Sequence, residues 1–238
     1  MVLVHGAPDR SKSFARVVHH LTDLPVTVYD RRGYGKSLAA GDHGAGFDAH
    51  ADDLIELLDG VPSVVVGQSA GGAVAMLAAT RAPHLFAALG VWEPPMVPWD
   101  WWVGEFAQRR LAAWVANPDS VALAEEINRM NIGDERWDAL SERTRSLLRA
   151  EGRAFQADMA SQSEPYLHLS DLVVPMVVGT GTVHFDDRYR VAHRKLAELA
   201  RAELYVGEGA GHPAHSTHPE VWAGLVRATV ALSNASHG

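Results

Sequence analysis

The feature that most constrains this chain is the pentapeptide Gly67-Gln68-Ser69-Ala70-Gly71, which stands between a valine run, Val64-Val65-Val66, and an alanine-rich stretch. A buried strand that turns abruptly into a helix needs small residues on either side of the turn, because the two backbones approach closely and the apex is strained. Such a turn projects its apical side chain into open space, and here that side chain is a serine hydroxyl. The start of the following helix adds positive partial charge, suited to a developing oxyanion. Ser69 is therefore the candidate nucleophile.

The rest of the chain repeats the strand-then-helix theme. Apolar runs, most of them rich in valine, fall at 2–5, 26–29, 63–66, 87–92, 176–178 and 203–206. Continuous runs of this kind read as strands buried on both faces of a parallel sheet. Helical patterns at 13–21, 47–58, 70–81, 187–200 and 219–232 separate or follow them. The alternation predicts an α/β fold with a doubly wound, mostly parallel sheet. After Trp92 the alternation lapses, and only helical periodicity remains, over 101–115, 120–130 and 137–159. The expected organisation is a core of residues 1–94 and 165–238, interrupted by a helical cap of residues 95–164.

Composition excludes several classes. The formal net charge of −8 disfavours nucleic-acid backbone and anionic lipid as partners. With no cysteine there is no disulfide scaffold, thiolate metal site or cysteine nucleophile. The apolar run at Met1–His5 is too short for a signal-peptide core, and no stretch reaches membrane-spanning length. A cytoplasmic protein without a membrane partner is expected, acting on a small molecule and needing no cofactor; the oligomeric state is not legible.

Three more motifs follow strands: His5-Gly6-Ala7-Pro8, the segment Asp30-Arg31-Arg32-Gly33-Tyr34-Gly35-Lys36-Ser37, and Gly209-Ala210-Gly211-His212. An imidazole is the simplest general base near neutral pH, and the glycine-flanked His212 is the candidate. Gly35-Lys36-Ser37 ends like a phosphate-binding loop, but Asp30 occupies the position of the required first glycine. His212, His215 and His218 recur at intervals of three, yet Pro213 and Pro219 interrupt any single helix through them, so no metal site is expected.

Together these motifs resemble the α/β-hydrolase superfamily across nearly all of the chain outside the helical insertion. The resemblance implies an oxyanion hole made by the backbone N–H groups of Ala7 and Ala70, and a structural role for Asp30 to Ser37. Members usually carry two strands ahead of the first one here, so a sheet of about six strands is expected. In most of the family the triad acid is an Asp after the strand that here ends at Gly179. That position falls on Thr182, which cannot act as an anion. Some relatives, the haloalkane dehalogenases among them, carry the acid after the strand that follows the nucleophile helix. Glu93, in Trp92-Glu93-Pro94-Pro95, occupies that place and is the preferred acid, with Asp186 or Asp187 as fallback.

The expected function is a serine hydrolase that cleaves a carboxylic ester, lactone or thioester through an acyl-enzyme. The same triad also serves C–C hydrolases and perhydrolases, and the fold hosts non-hydrolytic cyclases or lyases and ligand-binding receptors. Ser69 in place of an Asp argues against dehalogenase chemistry. Trp92, Met96, Trp99, Trp102 and Phe106 are candidate walls of an apolar or aromatic substrate pocket, the cap's other tryptophans being shared between pocket and cap core.

Overall fold

A computed structural model describes residues 1–39, 46–102, 104–184 and 187–235. Its sheet has six strands, β1 (Val2–Val4), β2 (Thr27–Val28), β3 (Ser63–Gln68), β4 (Phe86–Trp92), β5 (Met176–Gly181) and β6 (Glu203–Gly207), in the order β2-β1-β3-β4-β5-β6. Every pairing is parallel; the four inner strands are buried as expected, whereas the edge strands β2 and β6, each paired on one side only, are largely exposed.

Alternation along the strands divides the core. Val2, Val4, Val65, Leu89, Met176 and Val178 pack with α2 (Gly46–Leu58), α3 (Ala70–Arg81) and α9 (Arg188–Leu199). Leu3, Val66 and Val177 point the other way, against α1 (Ala15–His19) and α11 (Pro219–Ala235), where Trp222 is fully buried. The helix expected over 13–21 is shorter. It begins as a 3-10 turn, Ser11–Phe14, in which the Ser13 hydroxyl bonds back to Asp9 and the Arg10 carbonyl.

Between β4 and β5 lie α4 (Gly104–Val115), α5 (Ser120–Ile132), α6 (Asp134–Asp138), α7 (Glu142–Ala150) and α8 (Gly152–Ala160). The single helix expected over 137–159 is thus three. Ser141 caps α7 by accepting from the Thr144 amide, and a β-carbon at Gly152 would overlap the Ser120 carbonyl, so α8 starts packed directly on the first turn of α5. Asp158 of α8 is fully buried against the core. Its carboxylate accepts from Arg31 (2.9 Å), Tyr34 (2.7 Å) and His50 (3.1 Å), so the segment around Arg31 clasps the helical insertion. Among the described residues no helix is long and apolar enough to cross a membrane.

Register brings the carboxyl ends of the strands to one rim. Val4 lies opposite Gly67, Gln68 opposite Trp92, Trp92 opposite Gly179, and Gly181 opposite Gly207. The strand order reverses between β1 and β3, where ligands characteristically bind in open α/β sheets.

Candidate active site

Ser69 sits at that reversal, between β3 and α3, with φ 49° and ψ −122°. Its flanking glycines are required sterically. A β-carbon on Gly71 would overlap the carbonyls of Val4 and His5, and one on Gly67 would overlap Gly71 itself. Gly6 passes so close that its added β-carbon would lie 3.2 Å from the Ser69 β-carbon, which brings the Ala7 loop alongside the serine. Ala70 begins α3, where a helix amide has no partner within the helix.

The Ala7 loop is held from beneath. Arg31 donates to the carbonyls of His5 (3.0 Å) and Gly6 (2.8 Å), and its amide donates to Nε2 of His5 (2.9 Å). Nδ1–H of His5 is donated to the Gly6 carbonyl, so His5 is a buried neutral imidazole. Burial and the neighbouring Arg31 charge push its pKa down to about 3.

Glu93 ends β4 with φ 47°, and its carboxylate is buried. Ser69, Glu93, Asp59 and Arg201 are the non-glycine residues with positive φ among the described residues. Two of them are thus the candidate nucleophile and acid, which places backbone strain at the site. Oε2 of Glu93 accepts from Nδ1–H of His212 at 3.0 Å. Oε1 accepts from the Gly181 amide (2.9 Å) and the Thr180 hydroxyl (3.2 Å), and Nε2 of His184 stands 3.3 Å away. Burial pushes the Glu93 carboxyl up. The hydrogen bond and charge of His212, then His193 and the Gly181 amide, outweigh it and hold the pKa at about 2.

His212 is half exposed, and its backbone carbonyl accepts from Nε2 of Gln68 at 3.0 Å, so the residue before the serine fixes the histidine loop. His193 is buried beside Glu93; burial lowers its pKa to about 4.

Ser69, His212, Glu93, Ala7 and Ala70 line one cavity of about 610 Å³, in the usual range for small-molecule sites. Its far walls are Val97, Leu111, Ile127, Phe155 and Met159, which also form the apolar core of the helical insertion. Trp102, Trp114 and Tyr189 close the side.

Among the expected pocket residues whose side chains are described, only Trp102 has this placement. Trp92 is buried beneath the sheet against Gly179 and Gly207, Met96 is buried in the main core under the Tyr166 hydroxyl, and Trp99 stacks edge-on to Tyr166. Each belongs to packing, not to the cavity wall. The side chain of Phe106 lies outside the described residues.

Asp186 lies outside them as well. Asp187 is 84% exposed and pairs with Arg190, so it does not reach His212 as an acid would. Thr182, at the position where an acid is usual, instead accepts from the Gly209 amide and orders the loop that carries His212. Sequence reasoning missed Thr180, His184, His193 and Gln68. The first three surround Glu93 from a strand, the loop after it and a helix, over 80 residues away, and no spacing rule announces them.

A model of the alpha/beta hydrolase family matches residues 1–225. A lipase, LipV, of Mycobacterium tuberculosis is 35% identical over 128 residues, which cover 52% of this chain and 47% of that protein. The match therefore spans about half of the curated relative's length. A hydrolase from Oleispira antarctica superposes with a TM-score of 0.73 at 17% identity, covering 95% of this chain and 89% of the other. A thermophilic esterase from Thermogutta terrifontis does so with 0.72 at 24%, covering 98% and 89%. At these identities the superpositions show the shared fold.

Proposed function

The chain belongs to the alpha/beta hydrolase family, and from that premise we propose that it is a serine hydrolase that cleaves a carboxylic ester, lactone or thioester through an acyl-enzyme. The observation that carries this reading is the buried Glu93 carboxylate bonded to Nδ1 of His212 on the wall of the cavity that Ser69 also lines. An anion on Nδ1 leaves Nε2 free to take a proton, the tautomer a general base requires.

In the first step Ser69 Oγ attacks the carbonyl carbon, and its proton passes to Nε2 of His212. The negative charge moves to the carbonyl oxygen, facing the amides of Ala7 and Ala70; such donors are worth about 10²–10³ in rate each. Glu93 stabilises the imidazolium without taking its proton. Collapse expels the alcohol or thiol, which receives the proton from Nε2. Water, deprotonated by the same nitrogen, then attacks the acyl-enzyme and regenerates Ser69.

Residues 95–164 act in this reading as a cap, since the apolar core of the insertion doubles as the acyl wall. The substrate is apolar or aromatic on that side. A C–C hydrolase and a perhydrolase use the same steps with other substrates. A lyase or cyclase can use the same acid-held imidazole as a base but forms no acyl-enzyme, so ester turnover that is lost in Ser69→Ala separates hydrolysis from them.

The test is intact mass after fluorophosphonate treatment of the wild type and Ser69→Ala. One adduct on wild type alone, with ester turnover lost in Ser69→Ala, is expected. An unlabelled wild type that turns over no ester or thioester would remove this reading.

A further inference from the structure

A second acid–histidine pair faces the same cavity and has no part in the steps above. Asp9 follows the Ala7 loop and His215 follows His212, and both line the cavity with Ser13 and Ser216. Nε2–H of His215 is donated to Oδ2 of Asp9 at 3.0 Å, which also accepts from the Ser13 hydroxyl at 2.9 Å; among the described residues Oδ1 accepts only the Arg10 amide, at 2.8 Å. A carboxylate oxygen has room for two donors, so Oδ1 keeps a free lone pair. The Asp9 side chain is 24% exposed, which lets a ligand reach it. His215 is buried against Phe14, so its part is to hold Asp9 in place.

Asp9 thus offers the cavity a charged acceptor, whereas Leu111, Ile127 and Phe155 of the same lining are apolar. Its place decides which part of a substrate it meets. The departing oxygen takes its proton from His212, so the leaving group lies on the His212 side, where Pro213 and the short helix Ala214–Thr217, which carries His215 and Ser216, follow directly.

We propose that Asp9, held in place by His215, forms a leaving-group subsite that binds hydroxyl donors on the departing alcohol, making the preferred substrates esters of an apolar or aromatic acid with a hydroxylated alcohol. The polarity argument stands on the cavity alone; the assignment to the leaving group rests on the serine-hydrolase reading. A carboxylate that loses water without gaining a donor is costly, so an alcohol lacking donors leaves Asp9 unsatisfied.

The experiment compares 2,3-dihydroxypropyl and propyl esters of 4-phenylbutanoic acid. Calorimetric binding to the Ser69→Ala protein reads the subsite without turnover, and hydrolysis by the wild type reads the serine-hydrolase assignment separately. The dihydroxypropyl ester is expected to bind about tenfold more tightly, as one net hydrogen bond to a charged acceptor allows. In Asp9→Asn and His215→Phe, each made in the Ser69→Ala background, that ratio should shrink to about twofold or less. Reading a ratio separates loss of the subsite from general damage to the pocket, which weakens both esters alike. Equal or tighter binding of the propyl ester to Ser69→Ala would overturn the proposal before any further variant is made. So would a tenfold preference that survives both substitutions. A preference without wild-type hydrolysis would keep the donor subsite, overturn its assignment to a leaving group, and count against the serine-hydrolase reading.

Discussion

Nδ1 of His212 lies 3.0 Å from Oε2 of Glu93, across 119 residues of chain, while the other oxygen of that carboxylate is held by the Gly181 amide and the Thr180 hydroxyl. One oxygen orients the imidazole and the other anchors the acid. Glu93→Gln keeps the shape but removes the charge that opposes the imidazolium. Its kcat on a reactive ester should fall by about 10³–10⁴-fold with the fold intact. Asp187→Asn, exposed and paired with Arg190, should leave kcat unchanged. The opposite ranking would place the acid at Asp187.

Thr180→Val removes one donor from a buried, charged acceptor and keeps the Gly181 amide. A loss of about 1–2 kcal/mol in urea unfolding is expected. Full stability in this variant would mean that the Thr180 contact contributes nothing net.

Asp158 collects Arg31, Tyr34 and His50 in the interior, with both Arg31 and Asp158 side chains fully buried. Removing the anion strands a buried guanidinium. Asp158→Ala should cost about 3–5 kcal/mol. Because Arg31 also grips the carbonyls of His5 and Gly6, kcat should fall in whatever protein remains folded. A folded Asp158→Ala with normal kcat would separate that clasp from the oxyanion loop.

Acid stability follows from the buried titratable groups. His5 and His193 have pKa values lowered from 6.5 to about 3 and about 4. Below pH 6.5 the unfolded chain binds protons that these folded imidazoles refuse. Stability is therefore full above that point and declines as the pH falls toward 4 and 3. Glu93, lowered from 4.5 to about 2, adds a second loss that begins below pH 4.5 and completes as the pH falls through 2. That second step is worth about 3 kcal/mol. Urea midpoints measured from pH 8 to 4 should start to fall near 6.5; a midpoint flat down to pH 5 would show that neither histidine is held neutral.

A methyl group tests the elbow. Gly71→Ala sets a β-carbon against the Val4 and His5 carbonyls, backbone atoms that cannot rotate away. Loss of both stability and fluorophosphonate labelling is expected, read by thermal unfolding and intact mass. Normal labelling would show that α3 can shift without disturbing Ser69.

The parts of the site that were legible in the sequence are those whose physics is local. Apolar runs mark strands, so all six appear where the runs stand, although the edge strands β2 and β6 are largely exposed. Gly67 and Gly71 mark a turn that only glycine tolerates, which pointed to Ser69. Glu93 was reachable because strand-end positions are countable along the chain. Tertiary structure alone decided what surrounds them. Sheet register brings Trp92 opposite Gly179 and so delivers Thr180, Gly181 and His184 to the Glu93 carboxylate. Packing, not hydrophobicity, assigned the aromatic residues. Trp92 fills space beneath the sheet, while Leu111, Ile127 and Phe155, unremarkable as sequence, form the cavity wall. An apolar side chain gains the same free energy from being buried in a core or along a cavity, so its identity cannot tell which; only the arrangement of the helices around it does.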